Sequence, residues 1–151
     1  MRKIVIIFAA LALFCNSCSV MCSKKNVLEN SVWTAQDRLF VADAGYETTT
    51  ATLEFLPGGK FSLKMVSDLP PHPAMYMNQD GTVDTLPGHH SESEQKGTYS
   101  VSGNTCTLHG EDGSTRELIL QGSPADFSQG SGTILGNFYG FEHFLFHRSA
   151  L

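Results

Sequence analysis

Between Ala51 and Met65 the chain alternates apolar and polar residues on both sides of a glycine-rich break, and this pattern constrains the fold most. Ala51, Leu53 and Phe55 alternate with Thr52 and Glu54. Pro57-Gly58-Gly59 interrupts the run, and Phe61, Leu63 and Met65 then alternate with Lys60, Ser62 and Lys64. Side chains of a strand point to opposite faces in turn, so a period of two gives one apolar and one wet face. Two such runs around a glycine turn predict an antiparallel hairpin.

The same pattern recurs. Tyr99 and Val101 lead into Gly103-Asn104, and Cys106 and Leu108 lead out. Gly and Asn tolerate positive φ, which suits a two-residue type I′ or II′ turn. Asp112-Gly113 marks a further turn, with Arg116 to Leu120 as the returning strand. Ser31 to Val41 reads as the first strand and Phe138 to Arg148 as the last. Pro124-Ala125-Asp126-Phe127 can open one short helical turn, and no amphipathic helix of normal length is visible. Many short strands without long helices predict an all-β domain, either a barrel or a small sandwich. Residues 67–95 break the rhythm with prolines, histidines and methionines. Such a segment predicts a small hairpin turning at Asp80-Gly81, on an elaborated loop or lid.

The N-terminus carries a different signal. Met1-Arg2-Lys3 is a positive n-region, Ile4 to Phe14 is an apolar run, and Cys15-Asn16-Ser17-Cys18 follows. The run is shorter than the roughly 20 residues that a spanning helix needs. The layout is that of an export signal. The balance is acidic, with 10 Lys and Arg against 15 Asp and Glu, and loss of Arg2 and Lys3 with a leader would sharpen it. An acidic surface disfavours nucleic acid and anionic headgroups. Of the four cysteines, Cys22 lies near the leader and Cys106 reads as a buried strand residue. No CxxC pair lies in the mature domain.

Two resemblances follow from these residues. The segment ending Ser17-Cys18 resembles a lipobox, which implies a signal peptide over residues 1–17, lipid attachment at Cys18 and a tether over 18–27. The order of Ser31-Val32-Trp33, the Gly58-Gly59 hairpin, Gly97-Thr98-Tyr99 and Phe144-Leu145-Phe146-His147-Arg148 is similar to small lipocalin-like β-barrel lipoproteins of bacterial envelopes. That resemblance covers residues 28–151 as one domain and implies an antiparallel up-and-down barrel of about eight strands. Ser31 stands where lipocalins usually carry glycine. The resemblance also implies that Trp33 and Arg148 close one end, with the guanidinium stacked on the indole in a cation–π contact. Lys24-Lys25 in the tether, in place of an acidic run, points to an outer-membrane anchor facing the periplasm.

The chemistry expected is binding rather than catalysis. No Gly-x-Ser-x-Gly elbow, catalytic cysteine context or cofactor motif occurs, so the chain is expected not to be an enzyme and to need no cofactor. Phe55, Phe61, Leu63, Met65, Tyr99, Phe144 and Phe146 lie on the alternating apolar face. An eight-stranded barrel is either filled by such side chains or holds one small ligand. The first expectation is therefore a small hydrophobic ligand in the interior. The second is a closed barrel contacting an envelope protein. A third is copper binding or an envelope-stress role, since His72, Met75, Met77, His89 and His90 combine imidazole with thioether. His143 and His147 would lie ~13 Å apart on a strand, too far to share an ion.

Overall fold

The computed structural model describes residues 27–41, 44–74, 76–138 and 141–149, with 141–143 as main chain. The expected leader, Cys18, most of the tether and Met75 lie outside the described residues. The strands are β1 (Ser31–Val41), β2 (Gly45–Leu56), β3 (Lys60–Leu69), β4 (His72–Pro73), β5 (Thr85–Leu86), β6 (His89–Ser102), β7 (Thr105–Gly110), β8 (Thr115–Gln121), β9 (Thr133–Phe138) and β10 (Phe141–Arg148). One short helix, α1 (Pro124–Gln129), precedes β9.

Eight strands close into an antiparallel barrel in the order β1-β2-β3-β6-β7-β8-β9-β10, and β10 returns to β1. Every neighbour in the barrel is also the next barrel strand in sequence, so the topology is up-and-down, as the alternation and the lipocalin resemblance imply. Only β4 and β5 stand outside, as a two-stranded sheet inserted between β3 and β6. The expected turn is there: Gly81 takes φ 83°, and Asn78 N donates to Thr82 O at 2.7 Å. The insertion is shorter than residues 67–95, because β3 runs on to Leu69 and β6 begins at His89. The expected last strand is β10, which begins at Phe141, and Phe138 instead ends β9, a strand that the sequence reading did not contain. At Gly103-Asn104 only the glycine has positive φ, which selects the type II′ turn.

Among the described residues the core cluster runs from Leu28 to Phe146, with Val27 and Val101 packed against it, all inside the barrel domain. Trp33, Phe55, Phe61, Phe127, Phe138, Phe144 and Phe146 are fully buried, with Leu53, Leu108, Leu118 and Leu120 between them. Phe138 packs edge-on against Phe144 and Phe146, at centroid distances of 6.2 and 5.8 Å. Edge-to-face pairs set positive ring edges on negative faces.

Candidate functional site: the divergent edge at the open end

The two ends of the barrel differ. At one end α1 crosses the opening. Ser123 caps it in a reciprocal capping box with Asp126, Pro124 fits the first turn, and Gly130 ends it at φ 81°. The helix brings Phe127 onto Trp33 at 5.5 Å between centroids. Ser31 is buried beside them; its hydroxyl accepts from Trp33 Nε1 at 2.7 Å and donates to Leu28 O. Trp33 and Arg148 are cross-strand partners, but no cation–π contact forms between them. The guanidinium is drawn instead to the α1 carbonyls. Arg148 Nη1 donates to Phe127 O at 2.8 Å and Ser128 O at 3.4 Å. Carbonyls at a helix end lack internal partners, so a cation there satisfies them directly.

The interior residues expected to meet a ligand (Phe55, Phe61, Leu63, Met65, Tyr99, Phe144, Phe146) are all buried in one core cluster. Tyr99 packs on Phe55 at 4.7 Å, and its hydroxyl has no hydrogen-bond partner. Burial foremost, with the Glu29 carboxylate and Cys106 behind it, pushes its pKa to about 12. Burial also pushes the Cys106 thiol to about 12, so it is a packing residue rather than a nucleophile.

At the other end β1, β2, β3 and β6 rise past their shorter neighbours as a four-stranded wall. Its inner face is polar above the core. Thr49 and Ser67 hydroxyls meet at 2.7 Å. Gln95 Nε2 donates to Asp112 Oδ2 at 3.0 Å and to Ser114 Oγ, and Arg116 Nε donates to Gln95 Oε1 at 3.3 Å. The Arg116 guanidinium lies 5.5 Å over the Phe138 ring. These groups form a polar rim over the aromatic core. Hydrogen bonds from Ser114, then from Gln95, hold the Asp112 carboxyl below the usual carboxylate range.

The wall has two open edges, and they differ in kind. The β6 edge carries charge. Glu92 pairs with Lys64 at 2.9 Å, Glu94 with Lys96 at 3.0 Å, and His90 with Asp68 at 2.5 Å. Charged edges deter strand addition. The β1 edge carries one acid and one base, Asp37 and Arg38, and then turns apolar at Leu39. Among the described residues β1 pairs with β10 at Trp33–Arg148 and Thr34–His147 and then diverges, while its ladder with β2 continues unbroken to Val41–Gly45. Consecutive residues of a strand face opposite edges. Val32 O receives Ser149 N, so the main-chain groups of Gln36, Arg38 and Phe40 face the gap. Leu39 and Phe40 are 48% and 62% exposed in succession. On the outer face Arg38 lies 4.7 Å over Tyr46, and Phe40 meets Tyr46 edge-on at 5.4 Å. A groove of about 620 Å³ opens where the strands part, lined by Thr34, Ala35, Gln36, Thr50, Leu145 and His147.

Of the expected metal residues, Met75 lies outside the described residues, and the others have surroundings of their own. His72 sits in β4 with Nδ1 3.2 Å from Pro70 O, His90 is engaged by Asp68, and Met77 is 70% exposed. His89 and His90 are consecutive on β6 and so point to opposite faces. Among the described residues no group of three His, Cys, Asp or Glu is placed to hold an ion. The free edge was not read from the sequence. Its signal is Leu39-Phe40-Val41, three apolar residues where alternation should have put a polar one. No family model matches this chain, and no curated protein matches it.

Proposed function

We propose that this chain is a non-catalytic envelope lipoprotein, anchored through Cys18, whose lipocalin-like barrel contacts a protein partner at its open end. The observation that carries the reading is a single buried cluster rich in aromatic rings, standing beside an edge that is unpaired among the described residues and exposes Leu39 and Phe40. Protein interiors are close-packed, so a core of facing aromatic rings leaves little room for a guest. Exposed apolar residues on an unpaired edge are what a pairing surface presents. The residues 1–18 support lipid attachment and a periplasmic location, and the acidic balance argues against nucleic acid. Because β1 starts at the α1 end, an anchor a few residues before it would leave the open end facing away from the bilayer.

Two measurements test this. Cys18→Ser should move the protein from the membrane fraction to the soluble fraction; retention in the membrane argues against the anchor. Titrating residues 23–151 with a long-chain fatty acid should leave Trp33 fluorescence and Tm unchanged. A saturable change in both would support the second reading, a small hydrophobic ligand inside the barrel. The unpartnered Tyr99 hydroxyl favours that reading, since a buried polar group without a partner is costly and a ligand could supply one.

A further inference from the structure

We infer that the free edge of β1 pairs with the same edge of a second copy of this chain, forming a two-fold antiparallel ladder centred on Leu39. The inference rests on the reading that the barrel works through protein contact, and it names the partner.

The register follows from which groups face the gap. Gln36, Arg38 and Phe40 offer main-chain N–H and C=O outward, so hydrogen-bonded pairs must join these residues to one another. An isologous interface repeats each contact in reverse, so the symmetric registers are few. Centring on Asp37 sets it against the partner's Asp37. Centring on Arg38 sets it against the partner's Arg38. Like charges directly opposite destabilise a ladder. Centring on Leu39 avoids both. Leu39 then meets the partner's Leu39 on the inner face, and Arg38 meets the partner's Phe40 on the outer face, where a cation and an aromatic ring attract. Arg38 and Phe40 are already oriented by Tyr46, which faces Phe40 across the β1–β2 ladder, at 4.7 and 5.4 Å. The β6 edge, lined by His90, Glu92 and Glu94, offers no comparable match.

Sedimentation of residues 23–151 over a range of concentrations tests this. The wild-type mass should rise from monomer to dimer. Phe40→Arg sets a charge against the partner's Arg38 and should keep the chain monomeric at every concentration. Its side chain is largely exposed, so the barrel fold should survive, as circular dichroism will report. Combining Phe40→Arg with Arg38→Glu restores opposite charges across each pair and should restore the dimer. Under mild oxidation Leu39→Cys should form a covalent dimer, and Arg38→Cys, whose symmetry mates are staggered, should not. A wild-type chain that stays monomeric at its solubility limit overturns the inference, as does a Phe40→Arg variant that dimerises like wild type. A monomer whose Trp33 signal ignores fatty acid leaves the protein-contact reading standing. A Trp33 signal that saturates with fatty acid overturns that reading itself.

Discussion

Ser31 illustrates how one side chain closes a barrel end. Its hydroxyl accepts the Trp33 indole N–H and donates to Leu28 O, so two buried polar groups are satisfied through one atom. Ser31→Ala or Ser31→Gly strands the indole N–H in the core. Each should lower unfolding stability by ~1–3 kcal/mol, read from urea midpoints; an unchanged midpoint would show the hydroxyl to be dispensable. His90 allows a second test. Asp68 foremost, then Glu92, raises its pKa above the ordinary histidine value. The attraction is present at pH below that of the unfolded histidine and fades as pH rises through the raised folded value. In NMR titration His90 should therefore lose its proton later than an unperturbed histidine, and Asp68→Asn should bring its midpoint back down. The sequence located Trp33 and Arg148 on the first and last strands, but not the guanidinium's target. That target is created by α1, whose carbonyls outcompete the indole face for a donor.

Elements that bury one face were legible, and elements that do not were hidden. β2, β3, β7 and β8 alternate because their inner residues meet the core, and each was readable from that alternation. The first half of β6, His89 to Lys96, stands above the core with both faces wet, so it offered no period to read and merged with the insertion. β9 was missed for a packing reason. Gly136 replaces an inward apolar residue because a Cβ there would lie 2.6 Å from a Leu118 methyl and 2.7 Å from the Phe138 ring. The short helix was legible through Pro124 at its first turn, while its Ser123 cap was not read, and two variants measure its worth. Ser123→Ala removes the box that holds the first turn and should cost about 1 kcal/mol. Phe127→Ala opens a cavity over Trp33 and should cost ~3–5 kcal/mol. Equal losses from the two would mean that α1 is held by its cap rather than by the ring it buries.

At the scale of the whole molecule, the barrel is a closed meander with one insertion, and the geometry shows where that insertion can be removed. Leu69 and His89 are already opposite one another in the β3–β6 ladder, so residues 70–88 leave and re-enter at the same point. A pair of strands in that relation can be joined by two residues in a primed turn. Pro70, Pro71 and Gly88 form the present crossing, where a Cβ on Gly88 would lie 2.3 Å from Leu69 O, so the two chains are pressed together there. Among the described residues the insertion adds no side chain to the core cluster; Ala74 is buried locally, within its own hairpin. Its removal leaves the main chain of the β1 edge, across β2 and β3, in place, and takes away only Pro70, Pro71 and Gly88 from the groove they share with Arg38 and Tyr46. Replacing residues 70–88 with Asn-Gly should therefore give a folded barrel with Tm within about 5 °C of the parent, the shift expected for roughly 1 kcal/mol in a domain of this size. The self-pairing measured by sedimentation should persist. Loss of the fold would mean that the insertion helps to hold β3 against β6. Loss of pairing with the fold intact would move the contact surface from the β1 edge to the inserted hairpin.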